Sequence, residues 1–265
     1  MKLFISADIE GCAGVSFAEE THKNEGCYKK YAEQMTKEVL AVCEAAYEAG
    51  AKEIVVKDGH GDASNIDPLS MPSYVTLIRG KSGHPYNMLF GLDSSFDAVL
   101  YIGYHAAAGN SEFTLSHTST GNSRQIFLNG QIMSEFLLNS CTAASLGVPV
   151  IFIAGDQAIC GSAKKLVPDL SAVITKKGTG GSTYCLSSEK VIEELRAKTK
   201  EALQNIDRCH MSLPESFEYT VSYKDWKKAY QMSFFPGMES VDAFTNRLKT
   251  EDWFDVVTAH CFVVY

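Results

Sequence analysis

The sequence predicts an α/β fold: a doubly wound, mainly parallel sheet with helices on both faces, plus a small C-terminal α+β subdomain. Three observations predict it. Short apolar runs alternate with segments of helical period through the first 206 residues. The first strand–helix–strand unit calls for a right-handed parallel crossover. After Pro214 the texture changes, and Phe217 to Tyr223 alternates with period two, as a half-buried strand does. We therefore expect a larger α/β domain over residues 1–210, carrying the candidate chemistry, and a small unit or cap over 211–265 packed on it.

Each element has its own reason. Lys2 to Ala7 is a buried apolar run that polar residues and Gly11 end. Tyr28 to Ala49 places Tyr31, Met35, Val39, Leu40, Cys43 and Ala46 near a 3.6-residue period, with Gly50 as the helix stop. Glu53 to Lys57 is rich in β-branched residues and is the second strand, and Val75 to Arg79 is the third. A short helix is expected around Tyr86 to Phe90, then the strand Ala98 to Gly103. Phe113 to Asn129 alternates like β structure, and Arg124 to Leu128 ahead of Asn129-Gly130 predicts a hairpin with a tight turn. Met133 to Leu146 is helical, Val148 to Ala154 a buried strand, Gln157 to Leu166 a helix and Ala172 to Thr175 a strand. Lys176 to Ser182 reads as a mobile loop whose lysines could hold a substrate carboxylate. Ser187 to Ile206 is a long helix. Trp226 to Met232 is then a short helix, Ser240 to Arg247 a strand, and Trp253 to Val264 a last apolar element.

Composition narrows the partners. With 265 residues, 45% hydrophobic and 21% charged, the chain can bury a full core and is not intrinsically disordered. Its 24 basic and 32 acidic side chains give a net charge of −8 without a Lys/Arg cluster, which argues against nucleic acid. No apolar run approaches the roughly 18 residues of a membrane span. Asp8 and Glu10 cut the first apolar run too short for an export segment, so no membrane and a cytoplasmic setting are expected. Cys12, Cys27, Cys43, Cys141, Cys160, Cys185, Cys209 and Cys261 include no CxxC pair. They read as reduced thiols rather than a zinc–thiolate site.

Four motifs stand out at element ends. Asp8 and Glu10 lie two residues apart, so an extended chain turns both carboxylates to one side. Acidic residues also simply terminate strands. His60, in Asp58-Gly59-His60-Gly61, is either presented by its glycines or part of a polar loop. His105, in Gly103-Tyr104-His105-Ala106, is either a ligand or a core histidine bonded to a carbonyl. Glu135, in the first turn of a helix, by itself only complements the helix dipole. Three strand ends bring Asp8, Glu10, His60 and His105 to one edge of the expected sheet, and with Glu135 they would make a mixed carboxylate–imidazole cluster. Such an N/O set suits catalytic zinc, or manganese, iron or cobalt, and five donors suit two ions if one carboxylate bridges. His117 is a candidate general acid or base beside them, or a solvent-facing strand residue. Asp156 is a helix N-cap or orients a ligand histidine. His22, His84, His210 and His260 lack such context and read as structural or surface residues.

Ser6-Ala7-Asp8-Ile9-Glu10-Gly11, Asp58-Gly59-His60, Gly103-Tyr104-His105-Ala106, Ser116-His117, Glu135 and Ala154-Gly155-Asp156 resemble, in order and approximate spacing, the DppA-type zinc-dependent D-aminopeptidase family. So do Gly91-Leu92-Asp93 and Cys185-Leu186-Ser187. The resemblance is best from Met1 to about Asp207. It implies a binuclear zinc aminopeptidase that removes one residue from the N-terminus of short peptides. By motif, Asp8 would bridge two zincs, Glu10 and His60 would complete one site, and His105 and Glu135 the other. His117 matches the family's candidate catalytic histidine. The resemblance also implies a homo-oligomer, a ring-shaped decamer. It leaves D- or L-residue preference open, D-Ala-D-Ala being the kind of peptide it suggests.

In the expected chemistry a metal-activated water attacks the scissile carbonyl and His117 stabilises the oxyanion or protonates the leaving amine. Two other functions compete. A two-metal phosphoesterase would use the same donors, but no Arg/Lys clamp lies near these motifs. A non-catalytic metal-binding module would keep the donors and dispense with His117.

Overall fold

The structure, a computed structural model, describes residues 1–265. Along the chain run β1 (Lys2–Ala7), α1 (Tyr28–Glu48), β2 (Glu53–Asp58), β3 (Val75–Ile78), β4 (Ala98–Tyr104), β5 (Ser123–Leu128), β6 (Gln131–Ile132), α2 (Glu135–Ser145) and β7 (Val150–Asp156). Then come α3 (Gln157–Leu166), β8 (Ser171–Thr179), β9 (Ser182–Cys185), α4 (Ser188–Leu203), β10 (Phe217–Tyr223), α5 (Trp226–Met232), β11 (Met238–Asp242), β12 (Thr245–Thr250) and α6 (Trp253–Val263).

The main sheet has the order β3-β2-β1-β4-β7-β8-β9, parallel except for the final β8–β9 pair. Its central strands β1, β4 and β7 are buried on both faces, which is why they read as near-continuous apolar runs. Helices α1 and α4 pack together on one face, α2 and α3 on the other. The expected doubly wound α/β architecture is therefore present. A second sheet, β11-β12-β10-β5-β6, is wholly antiparallel. It joins the C-terminal residues to Ser123–Ile132, so its strands come from two distant pieces of the chain.

Helix α2 is the wedge between the layers. Phe136 and Ala143 belong to the main core, while Leu137, Leu138 and Cys141 belong to the second. The Trp253 Nε1–H of α6 donates to Thr142 Oγ1 of α2 at 3.1 Å. A helix gripped on two sides cannot slide or roll cheaply, because both cores are close-packed. Its first residue, Glu135, is held accordingly.

Several elements differ from expectation. Only Ser123–Leu128 of the Phe113–Asn129 stretch is a strand; 113–122 turns back on itself, with a single bridge between Thr118 and Thr120. The Asn129-Gly130 hairpin is as expected, both residues having positive φ, 50° and 77°. Ser240 to Arg247 is not one strand but the two arms of the β11–β12 hairpin. Tyr86 to Phe90 contains only a single 3-10 turn, Asn87–Leu89. Lys176 to Ser182 is no loose loop: β8 runs on to Thr179, turns at Gly180-Gly181 and pairs with β9.

At the carboxyl end of the main sheet, backbones approach unusually closely. Gly11 N–H donates to the Gly103 carbonyl at 2.7 Å. A Cβ on Gly11 would lie 2.1 Å from the Tyr104 carbonyl oxygen, and one on Gly103 2.1 Å from that of Asp8. Gly103 also has φ +70°. Since neither neighbour is a movable side-chain tip, Gly103→Ala should cost about 3–5 kcal/mol. Urea denaturation is the check; a loss under 1 kcal/mol would mean that the strand ends can separate freely.

Candidate metal centre

The order of the main sheet reverses between β1 and β4, and doubly wound sheets open their ligand crevice there, beyond the carboxyl ends of the strands. Asp8 and Glu10 follow β1, His60 follows β2, and His105 follows β4. Glu135 opens α2, whose N-cap Ser134 accepts from Leu137 N–H. All five expected donors thus arrive at one place. Asp8, Glu10, His105 and Glu135 are each no more than 5% exposed.

The two histidines are aimed by neighbouring carbonyls. His60 Nε2 bonds to the Thr21 carbonyl at 3.0 Å, so Nδ1 faces Asp8 Oδ1 at 3.2 Å and Glu10 Oε2 at 3.0 Å. His105 Nδ1 bonds to the Ala106 carbonyl at 3.0 Å, so Nε2 faces Asp8 Oδ2 at 3.6 Å and Glu135 Oε1 at 3.5 Å. A carbonyl on one ring nitrogen selects the tautomer that offers the other as a ligand. Donor separations of this size fit one shared ion: tetrahedral zinc bonds of about 2.0–2.1 Å put neighbouring ligands roughly 3.3 Å apart.

Two buried atoms support that fit. His105 Nε2 and Glu10 Oε2 make no hydrogen bond, Glu10 Oε2 lying near His60 without a bond to it. Buried polar atoms rarely go unpaired. A metal ion is a partner for both. Three sets of donors lie close enough to share an ion: Asp8, Glu10 and His60; Asp8, His105 and Glu135; and Glu10, His105 and His117.

The electrostatics favour a cation as well. Burial, then the Glu10 carboxylate, pushes Asp8 up to about 7. Burial also presses on Glu135, but His105 outweighs it and holds that carboxyl down to about 2. Burial would lower His105, yet the Glu135 carboxylate and its neighbours hold it up to about 10. His60 is raised likewise, chiefly by Glu10, against the pull of burial. A divalent ion at the same lone pairs supplies the positive charge without these protons.

His117 stacks on His105, ring centres 4.2 Å apart and planes 19° from parallel. Its Nδ1 bonds to the Leu115 carbonyl at 2.9 Å, and Nε2 lies 3.8 Å from Glu135 Oε1. The His117 side chain is 28% exposed while that of His105 is 1% exposed. It therefore meets the solvent-facing space over the donors, a cavity of about 450 Å³. A hollow of about 550 Å³ elsewhere, lined by Ala107, Phe136, Ile159 and Lys165, gathers no comparable donor set.

Support comes from behind the donors. Lys176 is buried, and its ammonium donates to the carbonyls of Glu10 at 2.6 Å, Val15 at 2.7 Å and Cys12. With these three bonds it holds the Glu10 loop, so Lys176 is not free to hold a substrate carboxylate. Asp156 caps α3 through Ala158 N–H and Ile159 N–H, as expected, and its other oxygen accepts from Ala106 N–H at 2.7 Å, beside His105.

Other lining residues were not expected. Thr21 aims His60; Ser119 donates its N–H to Glu135 Oε1 at 2.7 Å; Lys81 and Tyr265 line the cavity. Lys81 had a signal available, since it lies just past the end of β3 on the same sheet edge. His22, read as a surface residue, is exposed but also lines the cavity.

The Peptidase M55 family model, described as D-aminopeptidase, matches residues 1–262. The chain belongs to the D-aminopeptidase family. A curated D-aminopeptidase of Bacillus subtilis (strain 168) is 30% identical over 244 residues, 90% of this chain and 87% of the relative. A solved structure described as the Zn-dependent D-aminopeptidase DppA from Bacillus subtilis, a self-compartmentalizing protease, is 27% identical. It superposes with a TM-score of 0.94, over 100% of this chain and 97% of that one.

A chain of hydrogen bonds links the second sheet to the donors. Ser119 Oγ bonds to His260 Nε2 at 2.7 Å, and His260 Nδ1 to the Tyr219 hydroxyl of β10 at 2.9 Å. Burial pulls His260 from 6.5 down to about 4, with Glu135 opposing. A histidine whose folded pKa is depressed contributes stability above its unfolded pKa and loses it as pH falls through the folded one. On this account about 3 kcal/mol should disappear between pH 6.5 and 4. Urea midpoints of wild type and His260→Gln, compared across that range, should converge on acidification. Parallel curves would show that His260 does not titrate there.

Proposed function

We propose that this chain is a binuclear zinc aminopeptidase that removes the N-terminal residue of short peptides, with D-amino-acid peptides such as D-Ala-D-Ala as the leading class. The observation that carries the reading is Asp8: its Oδ1 faces His60, while its Oδ2 faces His105. Asp8, Glu10 and His60 would hold one ion, and Asp8, His105 and Glu135 the other. Zinc in such a setting polarises a carbonyl and lowers the pKa of a water toward neutrality.

The chain's own residues do the rest. Bonded through Nδ1 to the Leu115 carbonyl, His117 is left with Nε2 as its working nitrogen, where it holds or releases a proton at the leaving amine. Stacking on His105 fixes the ring's direction. A free substrate amine would bind one of the donor carboxylates or an ion they hold, which favours cutting from that end. Ser119 N–H keeps Glu135 from turning away.

We further propose a cytoplasmic setting, supported by eight cysteines that are all free thiols. The self-compartmentalizing relative supports our reading of a homodecamer. Exposed Trp226, Tyr230 and Phe234 offer apolar surface for such contacts.

The deciding experiment is hydrolysis of D-Ala-D-Ala and L-Ala-L-Ala with metal content measured on the same sample. Turnover of either dipeptide with about two zincs per chain is expected, and their ratio fixes the stereochemistry. Turnover of neither overturns the reading. In Asp8→Ala both ions should be lost with activity; retention of two ions would remove Asp8 from its bridging role. In His117→Ala both ions should stay while kcat falls about 10²- to 10⁴-fold. Near-normal kcat would take His117 out of the chemistry.

A further inference from the structure

The cavity over the donors has an acidic floor and, among its lining residues, a single lysine or arginine. That residue is Lys81, in the Gly80-Lys81-Ser82-Gly83 turn just beyond β3. The turn is anchored. Gly80 N–H donates to the Ala63 carbonyl at 2.7 Å, and the buried Lys57 ammonium donates to the Gly80 carbonyl at 3.0 Å. Gly80 and Gly83 have φ of +80° and +78°, which lets the chain reverse tightly around Lys81.

The ammonium itself is aimed. It donates to the Gly59 carbonyl at 2.7 Å, next to His60, and to Asn87 Oδ1 at 3.0 Å. Asn87 is fixed in turn, with φ +43° and its Nδ2 donating to the Tyr265 hydroxyl at 2.6 Å. Both partners of Lys81 are neutral acceptors, so its charge is not cancelled, and one of its three N–H groups is left over. Lys57 adds a second positive charge close behind. It is held down to about 8, first by burial and then by Lys81. One rim of an acidic pocket is thus positive.

A short peptide has the matching pattern, an amine for the floor at one end and a carboxylate for the rim at the other. We propose that Lys81 binds the free C-terminal carboxylate of the substrate, and that the site thereby selects short zwitterionic peptides over amidated or longer ones. This rests on the aminopeptidase reading of the same site. The lysine is exposed, so a carboxylate reaches it without breaking an internal ion pair. With a peptide covering the cavity, water is displaced from that contact and the charge-assisted bond strengthens.

The test compares zinc-loaded wild type, Lys81→Gln and Lys81→Arg on D-Ala-D-Ala and on D-Ala-D-Ala amide, which share the scissile bond. Wild type should prefer the free acid. Lys81→Gln should lower the acid-to-amide ratio of kcat/KM about tenfold or more, through KM, and Lys81→Arg should restore most of it. Binding is read separately, by calorimetry with the reduced-bond isostere of the dipeptide, which cannot be cut. Its acid form should bind Lys81→Gln about tenfold more weakly than wild type. Equal losses on acid and amide, or an unchanged ratio, would overturn the carboxylate contact. Wild type that cleaves the amide as well as the acid overturns the subsite alone. Wild type that cleaves neither overturns the aminopeptidase reading together with it.

Discussion

Three carboxylates, Asp8, Glu10 and Glu135, meet two imidazoles in a floor almost closed to water. Everything around them answers the repulsion this creates. In water such a group of acids would separate; here burial magnifies each charge and the backbone prevents escape. The conflict shows in the acids themselves. Asp8 is driven up to about 7 while Glu135, facing His105, is held down to about 2. Shared protons relieve part of the strain. A divalent cation relieves more of it, since one ion neutralises two carboxylates at a distance no proton can bridge.

Holding the donors at the strand ends against that repulsion takes contacts to the backbone rather than apolar packing. Gly11 and Gly103 bring the ends of β1 and β4 together where a single Cβ would collide with a carbonyl at 2.1 Å. Lys176 does the same for the Glu10 loop. Burying its ammonium costs several kcal/mol. Three bonds to carbonyls return about 1.5–3 kcal/mol each. The two are of similar size, so the lysine adds little net stability, and what it contributes is position. Helix α2, gripped by both cores, positions Glu135 by the opposite means, through close apolar packing.

Asp8, Glu10, His60 and His105 can be read from the sequence because each follows an apolar strand, and doubly wound sheets gather such ends at one edge. The main sheet is readable for the same reason: its strands are continuous apolar runs separated by helical periods. Glu135 is harder, since a first-turn glutamate has an ordinary reason to exist. Lys176 is hard to read because the glycines at 178, 180 and 181 signal a loop, although burial alternates through 171, 173 and 175 ahead of it. Lys81 follows a strand of only four residues, none fully buried. The second sheet joins β5 to β10 across nearly the whole middle of the chain. Local pattern reveals that each is a strand but not that they pair, because the partner is chosen by tertiary packing.

The separation of charges in the cavity has its own logic. A lysine on the floor would compete with any cation for Asp8, Glu10 and Glu135, and by pairing with them would remove the need for one. Set at the rim, on the Gly59 carbonyl next to His60, the same lysine leaves the floor acidic. Two divalent ions held by three carboxylates would retain one net positive charge, enough to polarise a carbonyl without repelling an amine that has shed its proton. The rim then distinguishes the far end of the substrate from the near one. Amine recognition at the floor alone would accept any free amine, including a lysine side chain within a long peptide. Only a positive rim at a fixed reach adds the requirement that a carboxylate follow closely behind, and that requirement separates a short free peptide from an internal segment of a longer chain.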